Sequence, residues 1–219
     1  MGTLSWRASL YKIPAGDYTV LVTEPLSLRD EQVAQTRAAL VAAGRRLFGG
    51  QGFAKTSVDD LAREARVTTG ALYHHFPRKA ALFEAVFELV HRELLMSAAE
   101  AAAGSPDEVE FLARAFEAFL DSSLEPDIQR ILIIDAPSVL GPVRFAELDE
   151  QYASDMLVEA LNEAAAAGLL HVEDPETVAR LLLGALTRGT MMIANAADPR
   201  AARDAVAAGV RTLLAGWSK

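Results

Sequence analysis

The run Thr56-Ser-Val-Asp-Asp-Leu-Ala-Arg-Glu-Ala-Arg-Val-Thr-Thr-Gly-Ala-Leu-Tyr-His-His-Phe-Pro-Arg-Lys79 decides how this chain is read. It holds two short helical patterns joined by a break. Thr56 or Ser57 can cap the first, because either hydroxyl can accept a backbone N–H orphaned at a helix start. Asp59 and Asp60 follow in the first turn, where the helix dipole favours negative charge. Val58, Leu61 and Ala62 make its apolar stripe. The pattern breaks at Arg66-Val67, after which Thr68 or Thr69 can cap a second helix whose apolar face is Leu72 and Phe76. Pro77 ends it, since proline lacks the N–H that a helix interior needs. Two short helices across a tight turn make a helix-turn-helix, whose second helix enters the major groove of DNA.

The pattern extends on both sides. From Asp30 to Phe48, Val33, Leu40, Val41, Gly44, Leu47 and Phe48 recur at helical spacing and predict an amphipathic helix ended by Gly49-Gly50. Gly52-Phe53 turns the chain into the motif, and Phe53 is expected to fill a small core with Leu47, Leu61 and Leu72. Beyond the motif a helix is predicted from Lys79 through Leu82, Phe83, Val86, Phe87, Val90 and Leu94 to about Ala103. At 1.5 Å per residue it spans about 36 Å, long enough to leave one domain and pack along a second as the lever between them.

The residues from Arg37 through Phe48, with Gly52-Phe53, Thr56-Ser57-Val58, Leu61-Ala62, Gly70-Ala71-Leu72-Tyr73-His74-His75-Phe76, Lys79 and Leu82, resemble the N-terminal DNA-binding domain of the TetR family of bacterial transcriptional regulators. The resemblance covers roughly fifty contiguous residues with many agreements at once. It departs at Arg66, where family members usually carry Gly. If that turn needs a positive φ, a side chain there costs roughly 1 kcal/mol. The resemblance implies a homodimer on a palindromic operator in double-stranded DNA, probing it with the second motif helix, and a C-terminal bundle that takes a small-molecule effector and dimerises. In the family the tyrosine matching Tyr73, the residue after it (His74) and the lysine matching Lys79 lie at the phosphate backbone.

The charge distribution fits. The chain as a whole carries −9, which taken alone argues against DNA. Between Arg37 and Lys79, eight cations face three acids, a net of +5 that leaves −14 for the rest. A basic N-terminal segment on an acidic body suits a protein that sets one end on DNA and keeps the other off it.

At 219 residues and 51% hydrophobic the chain can bury one large or two modest cores. With no cysteine it forms no disulfide, thiolate metal site or Cys nucleophile. No apolar run approaches the ~20 residues of a membrane span and the N-terminus lacks a secretory pattern, so a cytoplasmic protein is expected. Residues 1–28 read as a flexible arm, or as sequence ahead of the true start, in which Arg7 and Lys12 could reach a minor groove. The expected division is this arm, a DNA-binding domain over 29–78 and a ligand-binding and dimerisation domain over 79–219.

That last part reads as helices starting near Asp107, Glu125, Phe145, Pro175 and Arg200, with Asp135 to Pro142 as an irregular turn that the resemblance places beside the effector pocket. No strand pattern occurs past residue 28, so the fold class is all-α, a three-helix DNA-binding domain followed by a larger helical bundle. The last two helices are rich in small residues, Gly184, Gly189, Ala205 and Gly209 among them. Such residues suit close packing within a subunit or between two.

Candidate DNA contacts are therefore Thr56, Ser57, Thr68, Thr69, Gly70, Tyr73, His74 and Lys79. The hydroxyls can meet phosphates or base edges, Gly70 lets the backbone approach, and Lys79 opens a helix N-terminus that attracts phosphate. Candidate effector contacts are Asp135, Met156, Arg188 and Met192, against the commoner roles of such residues, structural charges for the first and third and core packing for the methionines. The bundle's composition favours an apolar or amphipathic effector. His74-His75 does not make a metal site, because adjacent helix residues point about 100° apart, and no zinc spacing, phosphate loop or nucleophile elbow occurs. No cofactor and no enzymatic activity are expected. The other reading is a helical ligand-binding or interaction protein whose helix-turn-helix does not bind DNA.

Overall fold

Ser27 opens the first helix, its hydroxyl accepting the Asp30 N–H at 3.2 Å. That helix, α1, covers Leu28–Gln51 in the computed structural model, which describes residues 27–217, the side chains of 152–154 excepted. The proposed arm, with Arg7 and Lys12, lies almost wholly outside the described residues. There follow α2 (Val58–Glu64), α3 (Thr69–His75), α4 (Lys79–Ala102), α5 (Glu108–Ser122), α6 (Pro126–Ile128), a π-helical stretch (Gln129–Asp135), α7 (Ala136–Leu140), α8 (Pro142–Ala166), α9 (Pro175–Ala194) and α10 (Pro199–Gly216). The described residues form no strand, and the fold is all-α.

Local chemistry sets most boundaries. Asp174 and Asp198 cap α9 and α10 by accepting backbone N–H groups, and each precedes a proline whose missing N–H is harmless at a first helical position. Two expected breaks fall elsewhere. Gly49-Gly50 does not end α1; Gly49 is buried, and a Cβ there would stand 2.8 Å from Asp127 Cβ, so its smallness serves packing. The helix ends at Gly52, whose φ of +86° is open to glycine and whose N–H bonds the Phe48 carbonyl. Asp135 to Pro142 is not an irregular turn either. It is helical to Leu140 and breaks at Gly141, φ +80°. The π stretch ends just ahead of Pro137, whose ring and missing N–H an uninterrupted α register would not accommodate.

The helices pack as two compact units, one of residues 27–90 with 126–145, the other of 91–125 with 146–217. The first half of α4 and the α6–α7 segment thus fall in the same unit as the motif, the latter packed against α1. In the first unit Phe48, Phe53 and Phe83 pack ring against ring at 5.3–5.7 Å, above fully buried Leu40, Leu61 and Leu72. The N-terminal half of α1 lies outside this core, with Val33 43% exposed. Phe87 meets Phe145 and Arg144 pairs with Glu84 at 2.6 Å, fastening the end of the returning segment to α4.

The second unit buries Phe111, Leu120, Leu148, Leu161 and Leu170. Arg211 bonds Glu117 and Glu110, and Arg203 bonds Asp121, tying α10 to α5.

Candidate nucleic-acid interface

Ser57, not Thr56, caps α2: its hydroxyl accepts the Asp60 N–H at 3.0 Å and donates to the Asp60 carboxylate at 2.6 Å. That hydroxyl, and then Arg63, hold the Asp60 carboxyl below its ordinary range. Thr56 is 1% exposed and gives its hydroxyl to the Gly52 carbonyl at 2.8 Å, so its expected DNA contact is not available. α2 ends at Ala65, and Arg66 turns the chain with φ 58°, the left-handed conformation in which a side chain is strained. Of the two threonines it is Thr68 that caps α3, accepting the Ala71 N–H at 3.1 Å. The Thr69 hydroxyl donates to Asp59 at 3.4 Å, a tether between the motif's helices.

With Leu72 and Phe76 buried against the core, α3 turns Gly70, Tyr73 and His74 outward, beside exposed Thr68 and Ser57. A Cβ on Gly70 would meet only the Thr68 hydroxyl, at 3.8 Å, so packing does not demand glycine; the missing side chain leaves the surface bare. His75 is half-buried, its pKa pushed down by burial and then by the neighbouring His74 and Arg37. Among the described residues no group of three or more side chains could hold a metal ion.

Lys79 sits at the start of α4, but its ammonium turns back. It donates to the Phe53 and Thr56 carbonyls, both at 2.8 Å, and stands 4.1 Å from the Phe53 ring centre. Two of its three donors are engaged in the loop before α2, so a phosphate would find only the third. Sequence reasoning missed what holds the other side of that loop. Asp135, read as an effector contact, accepts the Phe53 N–H at 2.7 Å, and Arg130 donates to the Gly50 carbonyl at 3.2 Å. Both partners lie 80 or more residues away, and no local pattern announces them.

The second unit contains a cavity of about 50 Å³ among α4, α5, α8 and α9. Leu95, Ala98, Phe111, Phe116, Phe119, Met156, Ala160 and Leu186 are among its walls, and every lining side chain is apolar. Met156 is thus the one expected effector contact on it. Asp135 belongs to the other unit, Arg188 is exposed, and Met192 is 51% exposed; none of the three lines the cavity. Near it, His91 is buried with Nε2 3.8 Å from Asp149, which also accepts the Thr187 hydroxyl at 3.0 Å. Burial pushes His91 down to about 4, so at neutral pH the contact is not an ion pair, and burial pushes the Asp149 carboxyl up.

On α9 and α10, Leu181, Gly184, Arg188 and Met192, with Ala205, Ala208, Gly209 and Leu213, are exposed. A Cβ on Gly184 or Gly209 would meet nothing within 4 Å, whereas on Gly189 it would stand 2.5 Å from Val206.

Residues 40–86 match the bacterial regulatory proteins of the tetR family, and residues 109–217 match the tetracyclin repressor-like C-terminal domain. The HTH-type transcriptional regulator TtgR of Pseudomonas putida is 41% identical over 61 residues, 28% of this chain; the match spans only 29% of that relative's length. The crystal structure of a TetR-family transcriptional regulator from Pectobacterium atrosepticum is 32% identical, with a TM-score of 0.75 over 86% of this chain and 96% of that one. Thermus thermophilus FadR, a TetR-family transcriptional repressor in complex with lauroyl-CoA, shares the fold: 21% identity, TM-score 0.65, 82% of this chain and 93% of that one.

Proposed function

Because this chain belongs to the TetR family of bacterial regulatory proteins, we propose that it is a DNA-binding transcriptional regulator, a repressor released from a palindromic operator by a small apolar effector. The observation that carries this reading is the outward row of Ser57, Thr68, Gly70, Tyr73 and His74 on a helix-turn-helix whose apolar side is fully used inside the unit. Such a row has hydroxyls for phosphates and base edges, and a glycine gap for close approach. The stretch 37–79 that contains the row carries a net charge of +5, which suits a polyanion. In a dimer the two α3 helices would fall about one DNA turn, ~34 Å, or a multiple of it apart, which matches a palindrome. The exposed apolar and small residues of α9 and α10 support that face as the dimer contact.

The cavity is where the effector would enter. Its walls offer no polar partner, so the inserted part of a ligand is uncharged, since an unpaired charge there would be strongly penalised. At about 50 Å³ it falls far short of the ~300 Å³ of ordinary ligand sites, so Met156 and the phenylalanines must move to admit one. Release from DNA follows if the effector prefers a state that cannot span both half-sites, to the extent of its differential affinity. The protein acts in the cytoplasm by binding, without catalysis. No described helix is long and apolar enough to cross a membrane.

Footprinting on the DNA upstream of its own gene, over a salt series, tests the reading. Protection of a palindromic site, with random DNA bound far more weakly, is expected. Failure to discriminate on that DNA and on a selected random library would overturn it and leave a helical ligand-binding protein.

A further inference from the structure

We propose that Asp135 is a positioning residue for DNA binding: it latches the Phe53 peptide from the far side of the chain and thereby sets the loop from which the helix-turn-helix starts. The inference rests on the regulator reading above.

The loop between α1 and α2 has little regular structure to hold it. Gly52 reverses the chain at φ +86°, and its own N–H is used in capping α1. The Phe53 N–H is the next donor, and its acceptor is the Asp135 carboxylate, at 2.7 Å across 82 residues of sequence. The Phe53 carbonyl is taken by Lys79 on the opposite side, and the Phe53 ring packs against Phe48 and Phe83. One residue is therefore held at its N–H, its C=O and its side chain. Thr56 closes the loop with its hydroxyl on the Gly52 carbonyl, and the next residue is Ser57, the α2 cap. A shift of Phe53 is passed through three residues to the start of the motif. Asp135 ends the π-helical stretch, where the widened turn re-aims a side chain relative to an α register. Arg130 and Asp127 of the same segment meet Gly50 and Gly49, so the segment fits the end of α1 as well as the loop that follows it.

Electrostatics separates this role from that of a bystander. A carboxylate in the unit that meets DNA repels a polyanion, so removing it should by itself raise affinity. A latch makes the opposite prediction when the acceptor is lost. Asp135→Ala lowers operator affinity roughly tenfold, the scale of one charge-assisted hydrogen bond. Asp135→Asn, equally uncharged but keeping an acceptor oxygen, binds operator at least as well as wild type and severalfold more tightly than the alanine variant.

The experiment compares full-length wild type, Asp135→Ala and Asp135→Asn by operator affinity and by amide hydrogen exchange. Faster exchange in peptides covering 49–57 of the alanine variant only, with 199–216 unchanged and affinity reduced in that variant alone, is the expected result. Equal or higher affinity in both variants would overturn the latch, as would exchange that rises everywhere, which would make Asp135 a general structural prop. An effector response altered with operator affinity intact would return Asp135 to a ligand contact and equally overturn it. If the wild type binds no operator, the regulator reading fails, while exchange over 49–57 still reports whether Asp135 holds the loop.

Discussion

Arg66 occupies a left-handed backbone conformation that glycine adopts without strain, in the turn of the motif itself. Arg66→Gly is expected to raise the free energy of unfolding by about 1 kcal/mol, less whatever glycine's freedom in the unfolded chain takes back. A denaturant midpoint that rises at constant slope checks this; an unchanged midpoint means the turn relaxes around the arginine. His91 makes a pH prediction. Its folded pKa of about 4 lies below the ordinary 6.5, so in that window the unfolded state binds the extra proton. Its contribution is fully present above about pH 6.5 and is lost as pH falls toward 4. Urea unfolding from pH 4.5 to 7 should show stability rising with pH, and His91→Leu should flatten that part of the slope. The raised Asp149 contributes in the opposite sense, losing its stabilisation as pH rises through its folded pKa, so the variant comparison isolates the histidine. At this scale the candidate site was partly legible. Thr68 and Ser57 follow from cap chemistry, but the choice between Ser57 and Thr56 depended on which hydroxyl faces the Gly52 carbonyl. Lys79 was read from its position at a helix start, which attracts anions, while the folded loop offers it two carbonyls first.

Helices were legible wherever a cap, a proline or an apolar period marks them: α4, α5, α9 and α10 begin within a residue or so of where those signals stand. The failures are glycines and prolines with long-range reasons. Gly49 is in α1 because Asp127 packs on it, and Pro137 is tolerated because a π stretch precedes it. The two glycines of α9 differ for the same kind of reason. Gly189→Ala drives a Cβ into Val206 and should destabilise by about 1–3 kcal/mol, unless Val206 rotates away. Gly184→Ala meets nothing within the chain and should change stability by less than about 1 kcal/mol, in the stabilising direction. Thermal unfolding of the two variants side by side checks the pair. Equal losses would mean that Gly184 too has a neighbour, supplied by another copy of the chain.

For the whole molecule, the proposed function requires two copies presenting two α3 helices. Leu181 is 63% exposed on the outward face of α9. Leu181→Glu places a charge in the proposed dimer contact and should give a monomer by sedimentation, with helicity retained and operator affinity down by at least roughly tenfold as bivalent binding is lost. A Leu181→Glu dimer with wild-type affinity would move the contact to another face. The amino-acid sequence by itself determined the all-α class, the helix-turn-helix, the concentration of positive charge around it and the family, because caps, short-range periodicity and charge order act within a few residues. Only the tertiary structure decided that Thr56 is buried, that Lys79 and Asp135 both hold Phe53, that the segment 126–145 packs against α1 in the unit of the motif, and that Met156 lines the cavity while Arg188 and Met192 do not. Those depend on which surfaces meet after folding. A hydrogen bond across 82 residues leaves no period in the sequence from which it could be read.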